Sequence, residues 1–259
     1  METSLPIDAR SPSMGQSKRW LILPLLVLAS AFLVYLFRFN FLPQPGIVLD
    51  EAEYMVLGES FATGQPYRLV NYPDPPVETL FPPGYPMLVL APAWLVVGPN
   101  YWALRATSLA LALGNVLLAY VLLRRYLAEP LRSAAVALMA VNSSIAAFAG
   151  VAVSETAFIF FMLAFLVLLE RWHEKRRLWT IETVPAILAL AALISIRYQG
   201  MALAGAALLF LVLGRRYRQA FVLAMGVGLV ILPLLAWLAG LQNNAAPSSG
   251  TLTASAVLL

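Results

Sequence analysis

The stretch LFPPGYPMLVLAPAWLVV, Leu80 to Val97, is uncharged and long enough to cross a bilayer, yet it holds Pro82, Pro83, Pro86 and Pro92. Prolines at that density remove backbone donors and break a regular helix. Whether this stretch crosses decides on which side every later loop lies, and the positive-inside rule gives an independent vote. Without a crossing there, Arg10, Lys18, Arg19, Arg124, Arg125, Arg132, Arg171, Lys175, Arg176, Arg177, Arg215, Arg216 and Arg218 share one side, and only Arg38, Arg68, Arg105 and Arg197 fall on the other. With a crossing, the basic clusters after Leu123, Glu170 and Gly214 are thrown outward. The sequence therefore predicts that Leu80 to Val97 does not span and that the N-terminus is cytoplasmic. Residues 38–101 become a large first extracytoplasmic loop containing interfacial helices.

The rest of the chain supports that frame. Of 259 residues, 61% are hydrophobic and 12% charged, and the mean hydropathy is +0.80. A soluble domain runs nearer 45 to 50% apolar and about 25% charged, so the composition predicts an all-α integral membrane protein, a multi-pass bundle of about seven transmembrane helices. The predicted spans are Trp20 to Phe37, Trp102 to Leu123, Ala134 to Val153, Thr156 to Leu169, Val184 to Ile196, Tyr198 to Leu213 and Ala220 to Leu241. Thr156 to Leu169 and Val184 to Ile196 are short. They reach length only if residues 170–172 and 178–183 extend them, with Trp172 and Trp179 as interfacial belt residues. Asn142, Ser143 and Ser144 read as hydrogen-bonding groups inside the third span, and Ala202, Gly205 and Ala206 as a packing face. The chain divides into a cytoplasmic tail 1–19, a transmembrane domain 20–241 with the functional loop 38–101, and residues 242–259, an extracytoplasmic tail or the start of a further helix.

Cysteine is absent and His173 is the only histidine, which removes disulfides, thiol nucleophiles, Ser-His-Asp triads and His/Cys zinc sites. The net charge of +4 sits in short clusters between apolar runs, a topogenic pattern and not a nucleic-acid surface. Chemistry is left to carboxylates, arginines, hydroxyls and backbone.

On the predicted outer side, Asp50-Glu51-Ala52-Glu53-Tyr54 opens an amphipathic helix. Asp50 and Tyr54 lie one turn apart on one face, and Glu51 points about 100° aside. An acidic first turn also stabilises its own helix, so these residues read either way. Glu155 is the one charge between Arg132 and Glu170. An ionisable group at a membrane hairpin tip is a functional candidate, although Ser154-Glu155-Thr156 is also a good helix start. Arg197 is either a snorkelling cation at a helix end or a partner for a lipid phosphate or a carboxylate such as Glu155. Arg105, just after the loop, is an equal candidate for phosphate contact.

Together these pieces resemble the GT-C fold membrane glycosyltransferases, most closely the branch that includes the protein O-mannosyltransferases, the aminoarabinose transferase of lipid A and bacterial galacturonic-acid transferases. The carriers are Asp50-Glu51-Ala52-Glu53-Tyr54, Phe81-Pro82-Pro83-Gly84-Tyr85-Pro86, Ala103-Leu104-Arg105, Ser154-Glu155 and Ile196-Arg197-Tyr198-Gln199-Gly200. The resemblance implies an inverting transfer of a sugar from a polyprenyl-phosphate donor to a lipid, glycan or protein acceptor hydroxyl on the extracytoplasmic face of the cell membrane. It implies Asp50 as base and Glu51 as the group orienting the acceptor, with Tyr54, Arg105, Glu155 and Arg197 binding substrate. No cofactor is required, and there is room for a divalent cation. Family members usually carry more helices than this chain. A transporter or permease subunit is the competing reading, but charge at the bilayer midplane and internal repeats, its signatures, are missing. A truncated, non-catalytic homologue is the other.

Overall fold

The computed structural model describes residues 14–245 except Leu42, Pro43, Leu49, Thr79 and Arg176. Expectations for residues 1–13 and 246–259 lie outside the described residues. The regular secondary structure of the described residues is helical, apart from a single antiparallel bridge between Arg68 and Val77. Ten α-helices follow in order: α1 (Met14–Asn40), α2 (Glu51–Ala62), α3 (Ala91–Val97), α4 (Tyr101–Leu123), α5 (Leu131–Ala140), α6 (Ser143–Phe148), α7 (Ser154–Lys175), α8 (Thr183–Ile196), α9 (Gly200–Leu213) and α10 (Tyr217–Ala245). A π-helical turn, Pro86–Leu90, runs directly into α3.

Among the described residues, four helical stretches are long and apolar enough to cross a membrane: Ile22–Asn40, Tyr101–Leu123, Ser154–Lys175 and Tyr217–Leu241. Their outer faces are bare. Leu33, Leu229 and Leu232 are 64%, 77% and 66% exposed, a surface that suits acyl chains and not water. The chain is therefore a helical membrane protein in architecture, with four helices of spanning length among the described residues where seven were expected. A 14-residue helix such as α8 or α9 rises only about 21 Å, against a hydrocarbon core of about 30 Å. The hoped-for extension of α8 fails because residues 178–182 stay non-helical and the helix begins at Thr183. By contrast α7 does extend past Leu169, to Lys175.

The third predicted span, Ala134 to Val153, is not one helix. Asn142 N-caps α6, its side chain accepting from the backbone N–H groups of Ser144 and Ile145 at 3.1 and 3.3 Å. Asparagine and serine compete with a helical backbone for its own hydrogen bonds, so the run divides into α5, α6 and a buried extended segment at Val151–Val153. Trp172 is not a belt residue: it is fully buried and its indole N–H donates to the carbonyls of Arg177 and Leu178. Trp179 is 68% exposed. Ala202, Gly205 and Ala206 are exposed, and α9 instead packs through Ala207 and Leu211.

The core is built on α7. It packs against α8 and α4, with Phe165, Leu169 and Trp172 meeting Leu190, Leu193 and Leu211 on one side and Leu163 joining Ala112, Val116 and Ala119 on the other. A third cluster joins α2 and the Pro-rich loop to the starts of α4 and α7 through Tyr54, Tyr85, Leu104, Val153 and Ile196. Charge is segregated along the bundle. Arg125 pairs with Glu170 and Glu174, and Lys175 with Glu182, at one end. Glu51, Arg105, Glu155 and Arg197 pair at the other.

Candidate functional site

The site lies at the end of the bundle where α2, the loop before α4, the extended segment 151–153 and the turn between α8 and α9 meet. Two close approaches set its shape. At Gly84 an added Cβ would lie 2.3 Å from the Ser195 carbonyl carbon and 2.5 Å from the Ile196 nitrogen. Only glycine lets the Phe81–Pro86 loop rest directly on the end of α8. Gly58 meets Leu90 in the same manner, which brings α2 flat against the π-turn.

Below the surface, Glu51 and Arg105 form a bidentate pair. The Arg105 Nε donates to Oε1 at 2.8 Å and Nη2 to Oε2 at 2.5 Å, and both side chains are fully buried. The carboxylate also accepts from Gly46 N–H at 2.9 Å and Ala152 N–H at 2.8 Å. Arg105 further lies 5.1 Å from the centre of the Trp102 ring. Sequence reasoning placed Glu51 against an acceptor and Arg105 against a phosphate. The structure places them against each other, with no open surface on either. The pair ties α2, α4 and the extended segment together, a use of charge that is stable because every carboxylate lone-pair direction finds a donor.

Above it the chain exposes a second set. Asp50 occupies the N-cap position of α2, but its carboxylate makes no capping hydrogen bond and is exposed. Arg197 Nη2 lies 3.0 Å from Glu155 Oε1, with side-chain exposures of 34% and 26%. Arg197 thus meets the carboxylate that was weighed as one of its partners. The Tyr54 hydroxyl donates to Ser154 Oγ at 3.1 Å and lies within electrostatic reach of Arg197, Glu155 and Asp50. Burial raises its pKa, against the pull of the Ser154 hydrogen bond and of Arg197. Tyr54 therefore stays protonated near neutrality and serves as a donor.

The floor is aromatic. Phe81 and Tyr85 lie 5.0 and 5.2 Å from Tyr54, centre to centre, the Tyr67 hydroxyl donates to the Phe81 carbonyl at 2.8 Å, and Tyr85 and Ser108 share a hydrogen bond. Burial pushes the Tyr67 and Tyr85 phenols well up, so neither ionises. Beside the site an apolar groove of about 740 Å³ opens between the π-turn, α7, α8 and α10, running from Pro185 to Ser195 along α8 and ending two residues short of Arg197. Among the described residues, no group of three His, Asp or Glu side chains is placed to hold a metal ion.

Sequence reasoning missed the Ala152 and Gly46 N–H donors, which no side-chain pattern announces. The Glu51–Arg105 pairing had a signal: Arg105 is the only charged residue in α4, and a cation in an apolar helix wants a carboxylate. Comparison with protein-family models, curated proteins and solved structures returned no match.

Proposed function

We propose that this protein is a membrane glycosyltransferase of the GT-C type that moves a sugar from a polyprenyl-phosphate donor to an acceptor hydroxyl at the extracytoplasmic surface, with inversion. The observation that carries the reading is Asp50: an exposed carboxylate at a helix start that it does not cap, on the same end of the bundle as the half-exposed Arg197. In this scheme Asp50 takes the proton of the acceptor hydroxyl as its oxygen attacks the anomeric carbon. The bond from that carbon to the phosphate oxygen breaks, and the polyprenyl phosphate leaves with the electron pair. Arg197 exchanges Glu155 for the phosphate and neutralises the charge that develops there. Tyr54 and Ser154 position hydroxyls, and the aromatic floor gives a sugar ring an apolar face. The groove along α8 suits the isoprenoid chain of a lipid-borne donor. Glu51 and Arg105 enter as positioning residues that hold Asp50 in place.

The test is consumption of polyprenyl-phosphate sugars from membrane extracts by the full-length protein, followed by Asp50→Asn on the same preparation. Loss of the base predicts a fall in rate on the order of a hundredfold or more, with thermal stability unchanged. An Asp50→Asn protein that transfers sugar at the full rate removes Asp50 as the base.

A further inference from the structure

At the opposite end of the bundle, the turn from α9 into α10 walls a cleft of about 390 Å³ with Leu178, Arg215, Arg216, Tyr217, Arg218 and Gln219. Some of the other basic side chains at this end have carboxylate partners: Arg125 has Glu170 and Glu174, Arg132 has Glu129, and Lys175 has Glu182. Among the described residues, Arg215, Arg216 and Arg218 have none, as Arg124, Arg171 and Arg177 have none, but the first three alone line one cleft together. They stand at the N-terminus of the 29-residue α10, whose first turn has no acidic residue, so the positive end of the helix adds to their field.

Two buried atoms in the cleft wall point to an occupant. The Arg216 Nε, a donor, and the Gln219 Oε1, an acceptor, are both closed off from bulk water without a hydrogen-bond partner. Gln219 is only 4% exposed. Its orientation is fixed, because Nε2 donates to the carbonyls of Trp172 and Arg177 at 3.1 and 3.2 Å, and a carbonyl can only accept. The amide oxygen is therefore the atom left over. Buried polar groups of this kind are stable when something supplies their partners: an anionic oxygen for Arg216 and a hydroxyl for Gln219. Arg215 holds φ at 55°, a left-handed backbone that a non-glycine residue adopts only when its surroundings impose it.

We infer that this cleft binds the headgroup of an anionic phospholipid that carries both a phosphodiester and a free hydroxyl, a glycerol-type headgroup. The arginines take the phosphate and Gln219 accepts from the hydroxyl. A lipid and not a soluble phosphate ester is the occupant because the cleft opens onto bare apolar surface: Leu213, Tyr217 and Phe221 are 74%, 62% and 65% exposed, where acyl chains can lie. This inference does not depend on the proposed transfer reaction, which uses the other end of the molecule.

The experiment is native mass spectrometry of the full chain released from phosphatidylcholine nanodiscs doped with phosphatidylglycerol or phosphatidic acid. The expected result is retention of phosphatidylglycerol over phosphatidylcholine by about tenfold or more, the range of charge-assisted contacts, with phosphatidic acid in between because it lacks the headgroup hydroxyl. The double variant Arg216→Gln/Arg218→Gln abolishes the preference and leaves the melting temperature in pure phosphatidylcholine unchanged. The control Arg124→Gln/Arg171→Gln, which removes two exposed charges at the same end, keeps it. Equal retention of the two lipids, or equal loss in both double variants, overturns the site in favour of bulk charge. Displacement of phosphatidylglycerol from the wild-type protein by free glycerol phosphate overturns the lipid and leaves a soluble ligand.

Discussion

At the scale of single residues, Glu51 and Arg105 form an ion pair with both side chains fully buried. Truncating one partner leaves the other charge buried, which costs about 3–5 kcal/mol, so Glu51→Met or Arg105→Met lowers thermal stability severely. Glu51→Met/Arg105→Met loses much less than the sum, though not nothing, since Gly46 and Ala152 keep unpaired N–H groups. A double-mutant cycle by thermal melting checks this, and additivity of the two single losses would show that the pair is not coupled. Glu129 supplies a pH dependence. Burial acts to raise its pKa, but hydrogen bonds from Tyr120, Ser133 and Arg132, with the charge of Arg132, outweigh it and hold the carboxyl at about 2. Its unfolded value is about 4.3. A depressed folded pKa gives stability that is present above the unfolded value and lost as pH falls through the folded one. The melting-temperature gap between wild type and Glu129→Gln should be constant above about pH 5 and close as pH falls toward 2. A gap that ignores pH would remove this assignment.

At the scale of elements, the Pro-rich loop depends on one glycine. Gly84→Ala sets a methyl group against the backbone of Ser195 and Ile196, and backbone cannot rotate away. Overpacking of this kind costs about 1–3 kcal/mol and also displaces the loop from Arg197, so stability should fall, and with it the proposed transfer activity. Gly205→Ala is the matched control: nothing lies within 4 Å of the added atom, and alanine favours a helix interior by about 1 kcal/mol. Melting both variants tests the packing, since an unaffected Gly84→Ala protein would mean that the loop does not rest on α8. The break at Asn142 matters for the same reason. Because α5 and α6 stop short of α7, the extended segment keeps a backbone N–H, that of Ala152, to give to Glu51.

At the scale of the whole molecule, segregation of charge to two ends is the feature on which the proposed orientation rests. Single cysteines make it testable, because the chain has none of its own. With Asp74 and Trp179 both exposed, Asp74→Cys should react with an impermeant reagent added to intact cells and Trp179→Cys should not. The reverse pattern would turn the proposed site inward. Composition and the spacing of apolar runs by themselves determined that this chain is a helical membrane protein, because burial in lipid needs little beyond apolar length. They also marked Asp50, Glu155 and Arg197, since a charge stands out against an apolar background. They did not determine that four helices of the described residues, and not seven, reach spanning length. Asn142 breaks one run, and α8 and α9 stop at 14 residues, through local hydrogen bonds that hydropathy does not see. The partners were decided by tertiary structure alone. Glu51 and Asp50 are neighbours in sequence, yet one is sealed against Arg105 and two backbone N–H groups while the other faces outward. Only the packing of α2 on the π-turn and α3, which sets Glu51 against Arg105 and the N–H of Ala152, separates an acid that holds the fold together from one that is exposed.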